Sequence, residues 1–193
     1  MVCTKKLEQY AKENKIPIME KEGLEFLITF IKENNIKSVL EIGSAIGYSA
    51  IKMGLISDDI YITTIERDEK RYLEALKNIK NFNLKKQIKV IKADALEIEI
   101  KEKYDLIFID GAKGQYLNFF IRFQNCLNEN GYIITDNINF HGLTTKVDEI
   151  KSKNLKSLVK KIIKYTDFLK NNEDYTTTFI EVGDGISISQ KNK

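Results

Sequence analysis

Residues 38–50 read S-V-L-E-I-G-S-A-I-G-Y-S-A. The apolar run Val39, Leu40 and Ile42 stops at Gly43, and Gly47 opens a second apolar segment that predicts a helix to about Leu55. This is the order of a buried parallel strand, a tight glycine turn and a helix start. Glycine reaches backbone angles closed to other residues, so a ligand can come close to the main chain. The free N–H groups at the start of the helix would face that ligand. The spacing is G-x-x-x-G, with Glu41 two positions before the first glycine. It matches neither the dinucleotide fingerprint G-x-G-x-x-G nor the phosphate loop G-x-x-x-x-G-K-[ST]. A carboxylate at Glu41 suits a ligand carrying an amine or sulfonium better than one carrying a pyrophosphate. Taken alone, the glycines also fit a plain structural strand–turn–helix.

Working outward, residues 60–66 form a second strand that ends in Thr63-Thr64-Ile65-Glu66. A carboxylate there can accept hydrogen bonds from both hydroxyls of a ribose, as in nucleotide-binding α/β folds. Asp68 caps a helix through about Lys80 with apolar positions Leu73, Leu76 and Ile79. Residues 87–93 are a third strand, followed by Asp94-Ala95, and residues 104–110 (Y-D-L-I-F-I-D) are the most apolar strand. Residues 114–127 read as helix, and Asn130-Gly131 turns into a strand over 132–135 that stops at Asp136-Asn137. Residues 152–171 form a lysine-rich helix, and two alternating strands, 176–182 and 185–189, are joined by Gly183-Asp184 as a hairpin. Upstream, residues 4–14 carry a threonine cap signal, the segment Ile16-Pro17-Ile18-Met19 breaks that helix, and residues 20–34 form another.

Strands alternate with helices until the end. The expected fold class is therefore α/β: one doubly wound, mostly parallel twisted sheet with an antiparallel hairpin at one edge. A single domain over 1–193 is expected, with residues 1–35 as a helical segment packed on it. Acids or amides close several strands at their carboxyl ends (Glu66, Asp94, Asp110, Asp136-Asn137), the edge where open α/β sheets bind ligands.

A chain of 193 residues suffices for one α/β domain and is short for two. A net charge of +3, with lysines along the whole chain, permits contact with a polyanion without arguing for one. Cys3 and Cys126 are far apart and form no C-x-x-C pair, which gives no support to a disulfide framework or a cysteine-bound metal; Cys126 reads as a small core residue. With no signal peptide and no apolar run near 18 residues, no membrane association and a cytoplasmic location are expected.

Asp110, Asp136 and Asn137 offer two carboxylates and an amide oxygen from neighbouring strand ends. Such hard oxygen ligands suit Mg²⁺ or another divalent cation; alternatively, Asp136-Asn137 is a turn and Asp110 a helix cap. Lys113 lies three residues after Asp110. Near a cation and a cationic cofactor its ammonium form is disfavoured, which fits a general base, although a loop lysine can equally face solvent. His141, the single histidine, reads as a surface residue and at most a substrate contact.

The motifs L-E-I-G-S-A-I-G-Y-S, T-I-E-R-D, Y-D-L-I-F-I-D-G-A-K-G-Q-Y, T-D-N-I-N-F-H-G-L and D-Y-T-T-T-F-I-E-V-G-D-G-I-S-I-S occur in this order. Together they resemble the cation-dependent O-methyltransferases, the group with catechol and caffeoyl-CoA methyltransferases, and within it the bacterial tRNA 5-hydroxyuridine methyltransferases. The resemblance covers the chain from about Leu7. It implies a Rossmann-like class I fold, S-adenosyl-L-methionine as cofactor, Asp110, Asp136 and Asn137 as ligands of Mg²⁺, and Lys113 as base. It also implies a cofactor site lined by Met19, Gly43, Ser49, Glu66 (on the ribose), Asp94 or Ala95, and Asp110, with Glu41 in the loop approach. The expected reaction is O-methylation of wobble 5-hydroxyuridine in tRNA to 5-methoxyuridine; residues 152–164 are a candidate basic face for RNA and equally read as an ordinary solvated amphipathic helix. The alternatives are a small hydroxylated, catechol-like aromatic substrate, or a non-catalytic cofactor-binding protein that interacts with RNA. A homodimer is implied as well. Two departures are expected to matter: family members carry a further N-terminal helix before the segment matching residues 7–19, and His141 stands where a larger basic residue is usual.

Overall fold

The computed structural model describes residues 4–192; Cys3 lies outside them. Its strands are β1 (Ser38–Ile42), β2 (Tyr61–Glu66), β3 (Ile88–Lys92), β4 (Tyr104–Ile109), β5 (Leu127–Thr135), β6 (Tyr175–Ile180) and β7 (Ile186–Lys191). Its α-helices are α1 (Lys5–Glu13), α2 (Lys21–Glu33), α3 (Tyr48–Gly54), α4 (Glu69–Asn81), α5 (Tyr116–Phe123) and α6 (Lys153–Lys170). The seven strands form one sheet in the order β3-β2-β1-β4-β5-β7-β6. The first five are parallel, and β7 is antiparallel to both β5 and β6. The expected α/β sheet with an antiparallel C-terminal pair is what forms.

Both faces of the sheet are covered, which is why the central strands read as nearly continuous apolar runs. On one face Leu7, Ala11, Leu24, Leu27 and Ile31 from α1 and α2 join a core cluster with Val39, Leu106 and Ile134. On the other, Tyr116, Phe120 and Phe123 from α5 and Tyr165 and Leu169 from α6 pack against Leu40, Ile107 and Ile133. Phe120 meets Tyr165, Phe168 and Tyr175 at ring separations of 6.2, 5.4 and 5.1 Å, all edge-on, an arrangement favoured by the ring quadrupoles.

Four local expectations are corrected. Helix α4 does not bury Leu73 and Leu76, which are 55% and 38% exposed; it packs through Ala75, Asn78 and Ile79. A close approach explains this. A methyl group added at Gly47 would lie 3.4 Å from the Ala75 Cβ, and Asn78 donates to the Ile46 carbonyl at 3.0 Å. The segment expected as helix over 114–127 is shorter: a 3₁₀ turn at Lys113–Gln115, then α5, then a second 3₁₀ turn at Gln124–Cys126 that delivers Leu127 to the sheet. Asn130-Gly131 lies inside β5 rather than before it, in a break of register where Tyr104 pairs with Leu127 and Leu106 with Tyr132, and Asn130 has φ +62. Finally, Thr4 makes no side-chain cap bond, whereas Asp68 accepts from the Arg71 N–H at 2.9 Å as expected. Cys126 is buried and unpaired in a disulfide.

Candidate active site

Parallel register brings the strand ends together. Ile42 pairs with Ile65 and Ile109, and Ile109 pairs with Thr135, so Gly43, Glu66, Asp110 and Asp136 follow at one edge of the sheet. The backbone locks them there: Asp110 N–H donates to the Ile42 carbonyl at 3.0 Å and Asp136 N–H to that of Ile109 at 3.2 Å. A cavity of about 390 Å³ opens above this edge, within the range of small-molecule sites.

Of the sequence-predicted residues, Met19, Gly43, Ser49, Glu66, Asp94, Ala95, Asp110, Lys113 and Asn137 line the cavity, and Asp136 does not. Glu41 does not line it. Its register partner Thr64 donates to it at 2.5 Å, and Ser49 donates to its other oxygen at 2.5 Å, so it braces the start of α3 from below. Burial pushes the Glu41 carboxyl up to about 7, against the two hydroxyl bonds. Gly43 is required by the fold itself: with φ +104, a Cβ there would sit 2.5 Å from the Asp110 carbonyl. Glu66 accepts N–H bonds from Ala45 at 2.9 Å and Asp68 at 2.8 Å, one on each oxygen. Its carboxylate is thereby fixed, with lone pairs left toward the cavity. Asp94 accepts from the Leu96 N–H at 2.9 Å and lies 3.7 Å from the Arg67 guanidinium.

Lys113 is not a solvent-facing lysine. It is part-buried, donates to the Asn137 side-chain oxygen and stands 5.7 Å from the centre of the Phe140 ring. Burial pushes its ammonium group down, while the carboxylates of Asp110, Asp136, Asp184 and Glu20 hold it up. Burial, and then the Asp136 charge, raises Asp110 well above the usual carboxylate range. Burial raises Asp136 to about 6, opposed by the Asn137 N–H and Lys113. Asp110, Asp136 and the Asn137 side-chain oxygen at adjoining strand ends are hard oxygen donors of the kind that suit a divalent cation. Among the described residues no three His, Cys, Asp or Glu side chains are grouped to hold a metal, so a cation here would take two carboxylates and an amide. Asn137 adopts φ +57 to present that amide, a conformation more common for Asn than for most residues.

Sequence reasoning missed Asp184, placed by the β6–β7 connection and assigned only to a hairpin turn. The strands actually end at Ile180 and resume at Ile186, leaving a five-residue loop (181–185) rather than a two-residue turn. Its clue was an acid between two glycines, Gly183 and Gly185, both with positive φ. His141 is exposed, as expected, with its Nδ1 3.5 Å from Asp184.

A sheet of this order, with an acid-lined cofactor-sized cavity and a lysine among carboxylates, defines a class I transferase-like site. The chain belongs to the O-methyltransferase family, whose model matches residues 1–192. A Staphylococcus aureus protein provisionally named a caffeoyl-CoA O-methyltransferase has a solved structure similar to this chain. It is 37% identical, with TM-score 0.94, over 100% of this chain and 93% of that one. The caffeoyl-CoA O-methyltransferase of Populus kitakamiensis is 25% identical over 175 residues, 86% of this chain and 74% of the relative. An O-methyltransferase from Bacillus cereus, solved with S-adenosylhomocysteine, shares the fold at TM-score 0.84 and 23% identity, over 98% of this chain and 90% of that one. Among the described residues no helix is long and apolar enough to cross a membrane.

Proposed function

We propose that this O-methyltransferase takes its methyl group from S-adenosylmethionine, works with a divalent cation and methylates 5-hydroxyuridine in tRNA. The cofactor reading is supported by the cavity of about 390 Å³ and by Glu66, whose fixed carboxylate keeps lone pairs for two ribose hydroxyls. The S-adenosylhomocysteine in the Bacillus cereus neighbour points the same way. Asp110, Asp136 and Asn137 would hold the cation, which when bound supplies Lewis acidity that lowers the pKa of the substrate hydroxyl. Lys113 accepts the hydroxyl proton at Nζ. Its partial burial favours the neutral amine that the step needs, and the surrounding carboxylates stabilise the ammonium that results. Positioning and electrostatics supply the remainder of the rate.

The observation that carries the tRNA reading is the basic helix beside the catalytic turn. Residues 151–170 hold seven lysines against Asp167, a net +6 in a chain whose total is +3. Helix α6 packs on the Lys113–Gln115 turn: a methyl group added at Gly114 would lie 3.3 Å from Leu158 and 3.5 Å from the Lys161 stem. Lys160, Lys161 and Lys164 are exposed there, placed to neutralise phosphates while a splayed base enters the site.

The test compares an anticodon stem-loop bearing 5-hydroxyuridine with the free nucleoside and with a catechol. With Lys160→Glu and Lys164→Glu together, kcat/KM on the stem-loop falls about tenfold or more and the salt slope of binding flattens by about one to two. Turnover of the free nucleoside stays as it was. Methylation of the catechol with none of the stem-loop would overturn the tRNA reading in favour of a small hydroxylated aromatic.

A further inference from the structure

Loop 137–142, which leaves the end of β5 after Asp136, holds an unfavourable backbone. Asn137, Phe140, His141 and Gly142 have φ of +57, +46, +56 and +73. Only the glycine adopts such angles freely, and for a bulky residue such as Phe140 they are a true outlier. Strained backbone of this kind persists only where the surroundings fix it, and it gathers at functional sites.

Here the surroundings are the β6–β7 loop, residues 181–185. Ile138 N–H donates to the Gly185 carbonyl at 3.0 Å and Asn139 N–H to the Asp184 carbonyl at 2.9 Å. The Asp184 Oδ1 accepts the His141 N–H at 2.5 Å, so this one residue binds the loop at two points. Gly185, at φ +82, admits the Asn139 side chain so closely that a Cβ there would lie 2.6 Å from it. Asp184 is only 7% exposed. Its Oδ2 makes no hydrogen bond among the described residues, and the His141 Nδ1 stands 3.5 Å from it. A carboxylate buried with one oxygen unbonded costs stability, so its place calls for a reason other than stability.

That reason lies at Lys113. Asp136 N–H is tied to the Ile109 carbonyl at 3.2 Å, and Ile138, Asn139 and His141 are tied to the β6–β7 loop, so Asn137 is fixed between two anchors. The Asn137 side-chain oxygen accepts from Lys113, and the centre of the Phe140 ring lies 5.7 Å from the Lys113 Nζ. We infer that Asp184 is a positioning residue: by accepting the His141 N–H on its carboxylate it fixes loop 137–142, so that Asn137 and Phe140 flank Lys113. The inference rests on the cation role proposed for Asn137. Asp184 acts through the loop, as a hydrogen-bond acceptor, and not on the reacting atoms.

The test compares Asp184→Ala with the isosteric Asp184→Asn in the full chain. Asn keeps an oxygen for the His141 N–H, and Ala does not. One readout is amide hydrogen exchange over residues 138–142 in the metal-free protein. The other is Mn²⁺ affinity, by electron paramagnetic resonance with S-adenosylhomocysteine bound. In Asp184→Ala the loop amides are expected to exchange about tenfold or more faster, and Mn²⁺ to bind about tenfold or more weakly. Unchanged affinity for S-adenosylhomocysteine reports an intact fold, and Asp184→Ser takes the place of Asp184→Ala if the latter does not fold. Asp184→Asn is expected to stay within about threefold of wild type in both readouts, because the acceptor is kept. Wild-type exchange and Mn²⁺ affinity in a folded Asp184→Ala overturn the inference. So does an Asp184→Asn as impaired as Asp184→Ala, since charge and not the clasp would then be acting. A wild type that binds no Mn²⁺ sinks the cation role of Asn137 itself, and the inference falls with it.

Discussion

At the scale of single residues, two buried ionisable groups make opposite demands on pH. As the proposed base, Lys113 must be neutral to accept a proton, so on that proposal kcat/KM should rise with pH through the lowered lysine pKa. Lys113→Arg, charged at every accessible pH, should lose about 10²–10⁴-fold in kcat at all pH values. A Lys113→Ala rate within a few fold of wild type at high pH would assign the proton transfer elsewhere. Glu41 acts on stability instead. Its carboxyl rises from 4.5 to about 7 on folding, so the folded chain binds the extra proton between those values. Stability is therefore fullest below about pH 4.5 on this account and declines as pH climbs toward 7, by on the order of 3 kcal/mol. Glu41→Gln should remove that part of the slope in denaturant titrations at pH 5 and pH 8. A slope unchanged in the variant would mean Ser49 and Thr64 hold Glu41 ionised throughout.

Among the elements, the strands announced themselves and several helix faces did not. Central strands such as β4, with Leu106, Ile107, Phe108 and Ile109 all fully buried, are legible because burial on two faces leaves no polar alternation. The same logic placed Glu66, Asp110 and Asp136, since an acid that ends an apolar run in a parallel sheet has only the ligand edge to occupy. Helix α4 misled because leucines at helical spacing imply burial, while the contact is made through small Ala75 against Gly47. Ala75→Leu should therefore cost about 1–3 kcal/mol by overpacking, and Leu73→Ala should stay within about 0.5 kcal/mol; thermal or denaturant unfolding measures both. A larger loss at Leu73 would restore the periodic reading. Glu41 and Asp184 were misplaced for a different reason. Whether a carboxylate faces a ligand or braces a neighbour depends on register and loop path, which local sequence does not carry.

Across the whole molecule, basic and acidic residues gather in different segments near Lys113: lysines in α6, and Glu20, Glu181 and Asp184 in the approach to α2 and the β6–β7 loop. Lys161 of α6 packs on the Lys113–Gln115 turn, and Glu20, Glu181 and Asp184 line a separate cavity. A substrate with an anionic strand and a small hydroxylated aromatic are both compatible with this site, and the exposed lysines of α6 favour the first as the proposed substrate. On the proposed role of Asp110, Asp136 and Asn137 as cation ligands, removing divalent cations should abolish turnover. The most direct measurement is mass spectrometry of nucleosides from tRNA that carries 5-hydroxyuridine without its methyl group, incubated with the protein, S-adenosylmethionine and Mg²⁺. Appearance of 5-methoxyuridine, abolished by EDTA and restored by added Mg²⁺, is the predicted result. Unmodified 5-hydroxyuridine from a protein that methylates a catechol under the same conditions would contradict it.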